Sequence, residues 1–181
     1  EPLYSYTAAA SMWLFGQTLF ALRLVNVVFS VLAIGVSYLW VRGRFDETTA
    51  LVTAVLLSIT FWPLASAREA LRAGMLPFFM GTAVWFFWLL LDKRAQLSRR
   101  RWWLAAAFGV SVALTLHIYL AARVAWLVFP LFLIYLAWQQ RDSFRQSWRF
   151  VLAGLLLAGV LVTPLFIYLE QNPYALTRLR M

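Results

Sequence analysis

Six apolar stretches, each at or near the length that crosses a bilayer, divide this chain: Leu24–Val41, Thr49–Ala67, Met75–Leu91, Trp102–Ile118, Ala121–Trp138 and Phe150–Leu169. A helix rises about 1.5 Å per residue, so a hydrocarbon core of about 30 Å takes about 20 residues. Short polar connectors separate the stretches, and no soluble domain or internal repeat interrupts them. The composition agrees. Hydrophobic residues make up 64% of the 181 and charged residues 13%, with mean hydropathy +0.77. That make-up cannot supply the polar surface of a soluble domain. The expected fold is an all-α integral membrane protein, a polytopic helical bundle of about six transmembrane helices forming one domain over residues 1–181. Pro63, Pro130 and Pro164 fall inside or near the ends of spans, where they are expected to kink helices.

The first stretch, EPLYSYTAAASMWLFG, differs from the others. Pro2 suits a helix start and Gly16 a helix end. The roughly 13 residues between them extend only about 20 Å, too short to span. Tyr4, Tyr6 and Trp13 favour the membrane boundary. Residues 1–16 are therefore read as an interfacial juxtamembrane helix feeding the transmembrane helices of residues 17–181. The chain opens at Glu1 and closes at Arg180-Met181 with no visible signal peptide, and is expected to be a piece of a longer protein. With no cysteine, disulfides and thiolate metal sites are excluded.

Charge sets the orientation. If six spans alternate, one side receives Arg42, Arg44, Lys93, Arg94, Arg99 to Arg101, Arg141, Arg145 and Arg149. The other receives Arg23, Arg68, Arg72, Arg123, Arg178 and Arg180. Ten against six makes the first side cytoplasmic. Asp46 with Thr48 and Thr49 provides a helix start on that side. The net charge of +9 lies between apolar runs and builds no continuous basic face, so the expected partners are membrane lipids and phosphates, with no nucleic acid.

The ten basic residues explain themselves as topology signals; the six opposite them do not. Arg68 and Arg72 stand i, i+4 and share one face of a helical turn, where two guanidinium groups can hold a phosphate or pyrophosphate. The competing reading pairs Glu69 with Arg72 and lets Arg68 reach lipid phosphates. In HIYLAAR, which reads as a tight hairpin, His117 is the only histidine, Tyr119 brings a hydroxyl, and Arg123 enters the next apolar helix. A charge there usually faces a protein interior or a polar cavity. For His117 and Tyr119 the alternative is interfacial anchoring. Asn172-Pro173, Tyr174 and Arg178 add a turn and a further cation. No Walker loop, GxSxG, HExxH or paired histidine ligands occur, so no cofactor is indicated, and the residues leave any divalent-metal requirement open.

Read in order, four segments resemble one family. They are EPLYSYTAAASMWLFGQTLFALRL (Pro2, Leu3, Tyr4, Leu14 to Gly16, Leu22, Arg23), SAREALRAGMLP, GVSVALTLHIYLAAR with His117 where tyrosine or threonine is commoner, and TPLFIYLEQNPYALTRLR with Asn172 in place of histidine. The chain is similar to membrane glycosyltransferases of the GT-C fold, the group of the dolichyl-phosphate-mannose–protein mannosyltransferases and the bacterial aminoarabinose transferases. The resemblance implies inverting transfer of a sugar from a polyprenyl-phosphate-linked donor to a lipid, glycan or protein acceptor. The active face would look outward from a bacterial or archaeal plasma membrane. It implies that Arg68, Arg72, Arg123, Tyr119, His117, Tyr4 and Arg178 bind substrate. The catalytic acid is expected upstream of Glu1, so this piece alone is expected to be inactive. Alternatives from other classes are a transporter or flippase-like protein for a lipid-linked or anionic substrate, and a non-catalytic membrane subunit.

Overall fold

The computed structural model describes residues 2–92, 98–119 and 122–171. All regular structure among them is helical. Helix α1 (Pro2–Phe15) ends at Gly16, whose φ of 81° is a left-handed backbone that glycine adopts without steric cost. The chain turns there, and the Thr18 hydroxyl accepts from the Ala21 N–H at 3.2 Å to cap helix α2 (Leu19–Arg44). Ser11 donates back to the Ala21 carbonyl at 2.6 Å, so α1 lies against the start of α2 instead of extending it. At 14 residues α1 is about 21 Å long, short of a span.

The second apolar stretch is not one helix. Helix α3 (Glu47–Ile59) follows Asp46, whose carboxylate accepts from the Thr49 hydroxyl; that bond holds the Asp46 carboxyl below the usual carboxylate range. Thr60 is then extended, and α4 (Phe61–Arg68) starts afresh. Pro63 falls in the first turn of α4, where its missing N–H removes no helical bond. The chain next reaches a 3-10 turn (Arg72–Met75) that runs into α5 (Leu76–Leu91), and α6 (Ser98–Ile118) returns beside it. The fifth stretch is also broken, into α7 (Arg123–Trp126) and α8 (Val128–Gln139), with Pro130 in the first turn of α8. Helix α9 (Arg141–Gln171) closes the described chain with Pro164 inside it.

Among the described residues, four segments are long and apolar enough to cross a membrane: Leu19–Arg44, Arg72–Leu91, Arg99–Ile118 and Arg141–Gln171. The other two expected spans fold as pairs of shorter helices, with breaks at Thr60 and Leu127 near the two prolines expected to kink them. The apolar faces of α2 and α3, including Val31, Leu51, Val52 and Val55, remain exposed, as a lipid-facing surface requires.

Lipid is as apolar as leucine, so close packing and polar staples must hold such a bundle together. Three devices do so. Phe87 of α5 sits among Phe108, Phe129 and Phe132 at 5.4–5.8 Å between ring centroids, pairs worth about 0.5–1.5 kcal/mol each. Helices α6 and α9 cross at Gly109 and Gly154; a Cβ on Gly154 would lie 2.6 Å from the Phe108 ring and 2.8 Å from the Ala105 carbonyl. At the arginine-dense end, Arg101 of α6 donates to the Leu90 carbonyl of α5 at 3.0 Å and to Ser147 of α9 at 3.3 Å. Ser147 donates to the same carbonyl at 3.0 Å, and the guanidinium lies 4.7 Å from the Phe150 ring.

Candidate functional site

At the opposite end of the bundle, the connection between α4 and α5 departs from the expected geometry. A continuous helix would set Arg68 and Arg72 on one face. Instead α4 stops at Arg68, and Glu69 (φ −94°, ψ 146°) and Leu71 (φ −96°, ψ 135°) are extended. Arg72 opens the 3-10 turn. The shared-face reading is therefore corrected: the two arginines end and begin different elements. Both are exposed.

Asn26 holds this link. It is fully buried on α2, and its Nδ2 donates to the Glu69 carbonyl at 2.5 Å and the Leu71 carbonyl at 2.8 Å. Both partners can only accept, so the NH₂ end of the amide must face them. The Asn26 bond gives the Glu69 carbonyl a partner in place of a helical one, and at Leu71 it joins the Gly74 N–H, which donates to the same carbonyl at 3.0 Å. Gly74 gives the amide its room: a Cβ there would meet Asn26 Nδ2 at 2.6 Å and Cγ at 2.8 Å. Asn26 Oδ1 is buried with no hydrogen-bond partner among the described atoms. An unpaired buried acceptor costs about 1–3 kcal/mol, comparable to what its two donor bonds return at about 1 kcal/mol each. Judged by stability alone, the amide contributes little; what it does is fix the path of the link. Glu69 serves here through its backbone carbonyl.

Beside the link lies a small apolar cluster that includes one expected site residue, Tyr4. Val25 of α2, Met75 of the 3-10 turn and Ile118 of α6 form a small buried cluster, with Leu3, Tyr4, Phe29 and Phe79 packed on it. Thr7 of α1 also donates to the Met75 sulfur at 3.7 Å. Of the expected site residues Tyr4 packs on this cluster, while Arg72 opens the turn that supplies Met75, and His117 and Tyr119 flank Ile118 in sequence. Tyr4 is half-buried, and burial raises its phenol above the usual value. It is therefore a neutral hydroxyl donor at ordinary pH. His117 is half-buried, with Nδ1 3.0 Å from the Ala113 carbonyl. A carbonyl only accepts, so in the neutral ring the proton sits on Nδ1 and the lone pair on Nε2. Tyr119 is 40% exposed.

The hairpin after α6 is secured by Ala122, whose N–H donates to the Tyr119 carbonyl at 3.0 Å. Trp126 of α7 donates through Nε1 to the Val112 carbonyl at 3.2 Å and Thr115 at 3.3 Å. Arg123 opens α7. Its side chain lies outside what the structure describes, as do Lys93, Arg94, Asn172, Pro173, Tyr174, Arg178 and Arg180. Sequence reasoning passed over Asn26 and Gly74. The signal for Asn26 was an amide inside an apolar helix, a costly placement that marks a role.

The arginine-dense end offers different chemistry. A cavity of about 540 Å³ there is lined by Arg44, Trp88, Asp92, Tyr135, Gln140 and Ser143, none of them among the expected site residues. Arg44 lies 4.3 Å from the Trp88 ring centre and donates to the Trp88 carbonyl at 3.2 Å.

Compared with known families, residues 1–168 match dolichyl-phosphate-mannose-protein mannosyltransferase. That range contains every helix from α1 through α8 and most of α9. Comparisons with curated proteins and with solved structures gave no match.

Proposed function

The chain belongs to the dolichyl-phosphate-mannose-protein mannosyltransferase family, membrane glycosyltransferases of GT-C type, and from that premise we propose a specific reaction. The protein transfers a sugar, with inversion, from a polyprenyl-phosphate-linked donor to a lipid, glycan or protein acceptor at the outer membrane face. One observation carries this reading: Tyr4 packs on a cluster built from Met75, in the turn that Arg72 opens, and Ile118, between His117 and Tyr119 in sequence, at the end remote from the topology arginines. As the sugar–phosphate bond breaks, negative charge grows on the leaving phosphate. Guanidinium groups from Arg68 and Arg72 and the neutral Tyr4 hydroxyl are donors suited to stabilise it. Arg123 and Arg178 are assigned to the same work, with His117 and Tyr119 lining the site. Helix α1 lies along the membrane boundary, where a lipid-linked donor presents its phosphate.

The test is alanine substitution of Arg68, Arg72 and Arg123 in the full-length protein, with binding of a polyprenyl phosphate as the readout. Losing a charge-assisted contact costs about 1.5–3 kcal/mol, or about ten- to a hundredfold in affinity. Arg42→Ala, at the other end, should bind as the parent does. Glu69→Gln should also retain transfer, because its proposed contribution is a backbone carbonyl. Wild-type affinity in all three arginine variants would refute the phosphate reading.

A further inference from the structure

We infer that Asn26 is a positioning residue for the phosphate site, working with Gly74 as its seat. This rests on the proposed role of Arg68 and Arg72. Those arginines flank a link whose two inward carbonyls, at Glu69 and Leu71, are both held by the Asn26 amide at 2.5 and 2.8 Å. If the link were helical, the Cα atoms of residues 68 and 72 would stand about 6 Å apart. An extended link lets that separation approach about 13 Å. Asn26 thereby sets the distance and direction from which the two guanidinium groups approach a shared anion. It touches no substrate itself, being fully buried.

Two features distinguish this role from plain packing. The amide keeps an Oδ1 in the interior with no partner among the described residues, which an apolar side chain of similar size would avoid. Gly74 is fitted to that amide specifically, since the nearest atoms to an added Cβ are Asn26 Nδ2, Cγ and Oδ1, at 2.6, 2.8 and 3.1 Å. A methyl at position 74 cannot coexist with the amide where it now sits, so the amide or the turn must shift. Asn26→Ala and Gly74→Ala therefore release the same link from opposite sides.

The experiment measures binding of polyprenyl phosphate and of the corresponding uncharged polyprenol to the full-length protein in detergent. The variants are Asn26→Ala, Gly74→Ala, Arg72→Ala and the double variant Asn26→Ala/Arg72→Ala. Asn26→Ala and Gly74→Ala are each expected to weaken phosphate binding about tenfold, the scale of one mispositioned contact, and to leave polyprenol binding unchanged. The double variant should lose less affinity than the two single losses combined, because the Asn26 contact acts through Arg68 and Arg72. Equal loss for both lipids, additive effects in the double variant, or failure of both Asn26→Ala and Gly74→Ala to fold would overturn the inference and make the latch purely structural. If Arg68→Ala and Arg72→Ala bind the phosphate normally, the phosphate reading itself is at fault. Weak arginine variants beside normal latch variants would sink the inference alone.

Discussion

Tyr4 shows how a single side chain gains chemistry from its surroundings. Packing on Val25, Met75 and Ile118 pushes its phenol above 10.0, because the phenolate would lose water. The stabilisation tied to the neutral form is full below the unfolded value and fades only as pH rises through the folded one. Tyr4 should thus donate a proton-bearing hydroxyl without change from about pH 6 to 9. Tyr4→Phe is expected to weaken polyprenyl phosphate binding about two- to tenfold, the worth of one neutral hydrogen bond, by the same factor across that range. A loss confined to alkaline pH would contradict this. At this scale the candidate residues were partly legible in the sequence. Arg68 and Arg72 stood out as charges between apolar runs, but their relative geometry did not. Spacing reports a shared face only if the helix continues, and here its continuation is ended by an amide more than forty residues upstream.

Helices show the same division. Hydropathy located all six apolar stretches, yet three prolines that look alike in sequence have two different outcomes. Pro63 and Pro130 stand in first turns of restarted helices, while Pro164 lies inside α9. A restarted helix makes the missing N–H harmless; an uninterrupted one leaves the carbonyl four residues back without its donor. Which occurs depends on what packs around the break, and composition carries no record of that. The α6–α9 crossing was also unreadable, since Gly109 and Gly154 are separated by two helices and a hairpin. Their backbones meet directly, so Gly154→Leu should force the helices apart. We expect about 1–3 kcal/mol of destabilisation from overpacking, visible as a lowered unfolding midpoint in detergent, with Gly159→Leu as a milder control because a Cβ there meets open space.

For the molecule as a whole, alternating helices sort its ends into an arginine-dense one, bound by Arg44 and Arg101, and an opposite one holding the Asn26 link. By the positive-inside rule the first is expected to be cytoplasmic. The absence of cysteine permits a direct check: with an impermeant thiol reagent, Ala70→Cys should label from outside and Phe45→Cys only after permeabilisation. The reverse pattern would invert the orientation and remove the site from the outer face. The Asn26 latch also imposes an order on biogenesis. Asn26 is made more than forty residues before Glu69 and Leu71, so until those residues dock, its amide needs another hydrogen-bond partner. The site is therefore completed by a later-made segment docking back onto an earlier one.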